Sequence, residues 1–179
     1  DKQTIVQTGF GLEDRHELLN GFTWGPDGQM YMTHGVFTRT QAVDPAKPGE
    51  PVLLTAGVAR FQPKTRRMEI FAEGTSNPWG VDFDARGNAF VSACVIDHFF
   101  HLAPGGLYQR QAGQPPYPYA YDLLPSIVDH KHHMAAYAGV TLYQGDQYPA
   151  EFRGMALQGN IHDNAIHRDR LTAQGSTFL

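Results

Sequence analysis

The sequence starts one phrase three times at one spacing. "GFTWGPDGQMYMTHGV" runs from Gly21 to Val36, and "GVDFDARGNAFVSACV" runs from Gly80 to Val95. A third start, "GVTLYQGDQYPAEFRGMALQG", opens at Gly139. Gly21, Gly80 and Gly139 stand 59 residues apart, with Trp24 aligned on Phe83 and Gly28 on Gly87. Recurrence at a fixed period means that one supersecondary unit is built repeatedly.

The content of the unit is β. "GFTW" reads as a short strand and "GPDG" as a turn, in which Pro26 presets φ and Gly28 permits φ > 0. "QMYMTH" alternates, Met30 and Met32 on one face and Tyr31 and Thr33 on the other. After a Pro-, Ala- and Gly-rich loop over 41–51, "GVARFQ" and "RMEIFAEG" make a second hairpin. The next unit has "WGVDFD", "NAFVSACV" and "HFFHLA", then a long loop from Pro104 to Pro118. The third has "AGVTLYQG", "FRGMALQGNIH" and "NAIHRDRL". Residues 12–19 are the best helical candidate.

Four-stranded units at a period of 40–60 residues are the signature of a β-propeller. The expectation is an all-β propeller of four-stranded antiparallel blades, covering about 20–75, 79–125 and 137–179. The repeated glycines belong where inner strands crowd together and backbones approach closely. Three blades make half of a six-bladed ring, so the chain reads as a fragment continuing past Leu179. Trp24, Phe83 and Leu142 are expected in the packing between blades.

Composition narrows the partners. The 179 residues carry a net charge of −4, and the 14 Lys and Arg are scattered, so no basic stripe points to nucleic acid. No apolar run approaches the ~20 residues needed to span a bilayer, and the residues from Asp1 onward carry no charged-then-apolar leader. The single cysteine, Cys94, excludes an internal disulfide, a paired-cysteine zinc site and a C-x-x-C-H haem attachment within these residues. The motifs of serine hydrolases, zincins, P-loop NTPases and Rossmann dehydrogenases are absent.

Histidines are the richest chemical feature, nine in all. His130, His132 and His133 in "DHKHHM" precede the third blade and are the catalytic candidates. In an extended chain His130 and His132 point the same way, as chelating pairs do. Asp97, His98 and His101 in "IDHFFH" are the metal candidates. Asn77, Arg110 and His162 are the cofactor-binding candidates. For each there is a structural alternative: a polar surface loop around His130, local hydrogen bonding around His98, an Asx turn at "HDN", a pre-proline turn at Asn77, and pairing of Arg110 with a neighbouring acidic residue.

The segments "FTWGPDGQMYMTHGV", "AEGTSNPWGVDFDARGNAFVSACV", "PGGLYQRQAGQ", "YQGDQYPAEFRG" and "GNIHDNAIHRDRLTAQGSTF" resemble the bacterial membrane-bound dehydrogenase-like propellers of planctomycetes and verrucomicrobia. They are more distantly similar to the soluble glucose and sorbosone dehydrogenases. That resemblance implies an extracytoplasmic sugar or alcohol dehydrogenase using pyrroloquinoline quinone (PQQ) and Ca²⁺, often with a c-type haem domain elsewhere in the chain. It implies that Asn77 contacts the quinone, although the Arg expected before it is Ser76. A His general base is expected just before the first "GPDG" turn. Here Glu17 holds roughly that place, with His16 out of register.

Two further readings come from other classes. One is a non-catalytic propeller that binds carbohydrate or a protein partner. The other is a metal-dependent lactonase-like propeller, for which Asp82 and Asp97 are the candidate carboxylates.

Overall fold

In a computed structural model, which describes residues 2–95, 97–113, 122–130 and 136–179, the chain is almost entirely β-stranded. In chain order the strands are β1 (Asn20–Trp24), β2 (Met30–His34), β3 (Thr40–Ala42), β4 (Val52–Leu54), β5 (Gly57–Gln62) and β6 (Arg67–Thr75). Then come β7 (Asn77–Phe83), β8 (Ala89–Cys94), β9 (Phe99–Leu102), β10 (Gly106–Arg110) and β11 (Tyr137–Leu142). The last are β12 (Met155–Asn160), β13 (Ala165–Arg170), β14 (Ala173–Gln174) and β15 (Thr177–Phe178).

The first sheet is ordered β1-β2-β5-β6-β10, the second β7-β8-β9 and the third β11-β12-β13. Neighbours within them are antiparallel, except that β10 joins β6 in parallel. Each sheet therefore opens on one of the three repeated phrases. β7 lies between β1 and β11. A methyl group placed on Gly21 would stand 3.1 Å from the Cα of Gly80, and one placed on Gly80 would stand 3.2 Å from the Cα of Gly139. Gly21 and Gly80 leave little room for a Cβ against the next first strand, and all three recurring glycines have positive φ (+61°, +133° and +77°).

The hairpin after each first strand closes in one way. The N–H of Gly25 donates to the carbonyl of Gln29 (2.8 Å), and the N–H of Gly28 donates to that of Gly25 (3.0 Å). Asp84 with Asn88 and Gly87 repeats both bonds at 3.0 Å. Tyr143 repeats them with Met155 (2.9 Å) and Gly154 (2.8 Å). The third turn carries a longer loop, with a short 3₁₀ turn at Ala150–Phe152, yet its closure is unchanged.

Packing between sheets is apolar. Tyr31, Val58 and Phe71 of the first sheet pack with Val81, Phe83, Val91 and Phe100 of the second. Phe90 and Phe99 of the second pack with Leu142 and Ala156 of the third, together with Ile127. The Ile127 N–H donates to the Phe99 carbonyl (2.8 Å), so this segment runs beside β9. The outer face of the first sheet is covered by the β3-β4 hairpin and by Phe10 and Leu19.

Several expectations are corrected. Residues 12–19 form turns and bends, not a helix. Leu12 is exposed, while Glu17 is drawn fully inside, so no apolar helical face exists there. The 41–51 loop is the tip of the β3-β4 hairpin. The segment after Pro104 contains β10, which adds to the first sheet rather than the second. Four antiparallel strands occur in the first sheet alone. The second and third have three each among the described residues. Trp24 is 63% exposed, unlike Phe83 and Leu142. Each of those two packs into the sheet before its own, and no described sheet lies on that side of β1.

Candidate functional site

Chemistry-bearing side chains gather around the starts of β1 and β7, the end of β2 and the end of β10. Glu17 enters just before β1 and is fully buried. Its Oε2 accepts from the Val36 N–H (2.8 Å) and its Oε1 from the Phe37 N–H. Gly35 is required beside it, since any Cβ there would run into the Glu17 side chain. Burial pushes the Glu17 carboxyl above its ordinary value. The two amide bonds pull it down and the neighbouring Asp14 adds to the rise.

Asn77, the first residue of β7, meets the same loop: its Oδ1 accepts from the Val36 N–H (3.2 Å). Ser76, where the resemblance leads one to expect Arg, donates through Oγ to Gln111 Oε1 (2.7 Å). Arg110 ends β10 and donates through Nε to the Gln111 carbonyl (3.3 Å). Burial lowers its guanidinium pKa, against the charges of Glu73 and Glu17. Among the described residues, the terminal nitrogens of Arg110 and the Nδ2 of Asn77 have no hydrogen-bond acceptor. Arg110 is paired with Thr75, two residues before Asn77, so the two lie on neighbouring strand ends. Glu17, not singled out from the sequence as a binding residue, anchors the Gly35–Phe37 loop that Asn77 also binds. The signal for it was present: a carboxylate standing where a base was expected.

His162, the third cofactor candidate, is elsewhere. It is exposed in the β12-β13 turn, where its N–H donates to Asn160 Oδ1 (3.2 Å). That turn is the Asx type read from "HDN".

The catalytic and metal candidates divide differently from the way the sequence grouped them. His98 is buried and stacks on Tyr137, ring centroids 3.7 Å apart at 15°. One donor atom from each of His98, His130 and Asp169 lies within 4.8 Å of the other two. Asp169, on β13, was not read from the sequence, where it is one acidic residue in "HRDR". Asp97 is outside that group. So is His101, which faces the other way and packs against Phe90 (5.2 Å) and Phe178 (5.0 Å), with Nδ1 3.1 Å from Thr177 Oγ1. Burial lowers its pKa. His132 and His133 lie outside the described residues. Tyr137 is fully buried, and burial with the charges of Asp169 and Asp163 pushes its hydroxyl up to about 12, so it stays protonated. Asp82 is spent on backbone, its Oδ2 accepting from the Leu142 N–H (2.7 Å).

An almost all-β chain, whose serial sheets pack on one another through apolar side chains, is the class that the fold defines. The chain belongs to DUF7133, a family described as a domain of unknown function, whose model matches residues 1–179. No curated protein sequence matches it. In structure it is similar to the PQQ-bound aldose sugar dehydrogenase of Streptomyces coelicolor, with 15% identity, TM-score 0.60, and coverage of 89% of this chain and 47% of that one. It is also similar to a candidate oxidoreductase (glucose dehydrogenase) of Thermus thermophilus, with 22% identity, TM-score 0.62, and coverage of 93% and 52%. The chain spans about half the length of these structures. No helix among the described residues is long and apolar enough to cross a membrane.

Proposed function

We propose that the chain forms three blades, opened by β1, β7 and β11, of a dehydrogenase-type β-propeller that oxidises a sugar or another alcohol outside the cytoplasm. The 59-residue recurrence, the abutting glycines and the repeated turn closure support the architecture. Fold likeness to two sugar-dehydrogenase structures supports the activity class.

One observation carries the reading to a site. Arg110 pairs with Thr75, two residues before Asn77, and both side chains are half-buried with N–H donors that no described residue accepts. Such donors fit the carboxylate and carbonyl oxygens of a pyrroloquinoline quinone. Arg110 would hold a carboxylate and Asn77 a carbonyl. When bound, the quinone supplies a two-electron acceptor for the alcohol carbon. Ca²⁺, a hard cation that takes oxygen ligands, would be part of the same reading, as would onward electron transfer to a haem domain outside these residues. Glu17 is a positioning residue here. Its oxygens are engaged by two amides and closed to solvent, so it fixes the loop that Asn77 also binds.

The test is titration of the full chain with PQQ and Ca²⁺, followed by dye reduction over a sugar panel. Saturable binding, weakened about tenfold or more in Arg110→Gln, supports the reading. Binding that is absent, or equal in the variant, ends it. A second reading is favoured by Ser76 in the expected Arg position and by the saturated Glu17: a propeller that binds carbohydrate without turnover. Glycan binding with no dye reduction would mark that outcome.

A further inference from the structure

The group formed by His98, His130 and Asp169 sits apart from Asn77 and Arg110, in the seam between the second and third sheets. His98 precedes β9, His130 follows the segment that runs beside β9, and Asp169 comes from β13. Under them lies the apolar packing of Phe90, Phe99, Ile127 and Leu142.

Each of the three donors is held by a neighbour. The His98 ring is fixed by its stack on Tyr137. His130 Nδ1 lies 3.1 Å from Asp129 Oδ1. With Nδ1–H donating to that carboxylate, the lone pair is on Nε2, the nitrogen that faces Asp169. Asp169 uses its other oxygen, Oδ2, to accept from Gln158 Nε2 (3.0 Å). A carboxylate behind a ligating imidazole and an amide behind a ligating carboxylate are the supports that metal ligands carry.

The spacing is also informative. His130 Nε2 stands 3.7 Å from Asp169 Oδ1, too far for a direct hydrogen bond. Two donors on one tetrahedral ion with bonds of about 2.1 Å stand about 3.4 Å apart. His130 is partly exposed, so its ring can close the remaining distance.

We propose that His98, His130 and Asp169 bind one divalent first-row transition-metal ion. Two imidazoles and a carboxylate suit zinc and its neighbours, whereas Ca²⁺ and Mg²⁺ take oxygen. Three protein donors leave a position for water or a substrate oxygen. His130 and Asp169 also line a cleft of about 280 Å³, with Phe99, Ile127, Arg168 and Arg170 around them, while His98 lies buried behind it. The ion would join the second sheet to the third. This inference stands without the quinone reading, because it uses none of the same residues.

The experiment is titration of the chelator-stripped full chain with Zn²⁺ by calorimetry, with Co²⁺ as the spectroscopic probe. One Zn²⁺ per chain is expected, with visible Co²⁺ absorption and a rise in Tm on adding Zn²⁺, since a ligand bound by the folded state alone stabilises it. His130→Gln and Asp169→Asn should each weaken Zn²⁺ about tenfold or more and abolish the Tm rise. Asp129→Asn, which removes only the support of His130, should weaken it about tenfold. If Asp169→Asn does not fold, His130→Gln, on an exposed ring, decides the question. No Zn²⁺ binding, or binding of unchanged strength in His130→Gln, overturns the proposal.

Discussion

Gly80 is packed against Gly139 so closely that a methyl group on Gly80 would stand 3.2 Å from the Gly139 Cα and 3.1 Å from the Val140 nitrogen. Its φ of +133° is a conformation open almost only to glycine. Gly80→Ala should therefore cost about 2–4 kcal/mol, from backbone strain and a clash with backbone that cannot move aside. Urea denaturation measures it. A loss below about 1 kcal/mol would mean that the two first strands separate at little cost.

Gly154 offers the contrasting case. Its φ is +77° in the closing turn of the third hairpin, but a Cβ there would meet nothing within 4 Å. Gly154→Ala should cost only the left-handed backbone penalty, about 1–2 kcal/mol. Equal losses in the two variants would show that the approach of the first strands adds nothing to the conformational cost.

The repeat was legible because its physical cause falls on glycine. Positive φ at all three positions, and close backbone at Gly21 and Gly80, favour glycine, and the 59-residue spacing survives in the sequence. The third turn was less legible. Its closure through Tyr143, Met155 and Gly154 is the same as at Gly25 and Asp84, but the longer loop moves the glycine out of register. β10 was hidden for another reason. It pairs in parallel with a strand of the preceding sheet, and no local pattern announces a long-range partner. Of the candidate residues, Asn77 was singled out by the resemblance and Arg110 by its planar guanidinium fork. Histidine density drew attention to His98 and His130, but grouped each with its chain neighbours. The sheet seam instead pairs them across the chain and brings in Asp169, an acidic residue with no distinctive context in the sequence.

Cys94 provides a probe of the second sheet. It ends β8, half-buried, and burial pushes its thiol above the ordinary value of 9.0. The thiolate is the reactive form. In the folded chain at neutral pH, Cys94 should react with a disulfide reagent at least about tenfold more slowly than in denaturant. Equal rates would mean that the end of β8 opens readily.

Glu17 makes a claim about pH. Burial raises its folded pKa above 4.5, against the bonds from Val36 and Phe37, so the folded protein holds this proton more tightly than the unfolded chain. The stability gained from that proton is fully present below 4.5 and is lost as pH rises through the higher folded value. Glu17→Gln does not titrate and turns a donor toward one of the two amides. It should cost about 1–3 kcal/mol. Other carboxylates titrate in both proteins and cancel in the difference, so the gap between wild type and variant should be widest at acid pH and narrow as pH rises. Urea denaturation across a pH series reads this directly. A gap that widens with rising pH would show that the two amides outweigh burial and hold Glu17 as a carboxylate.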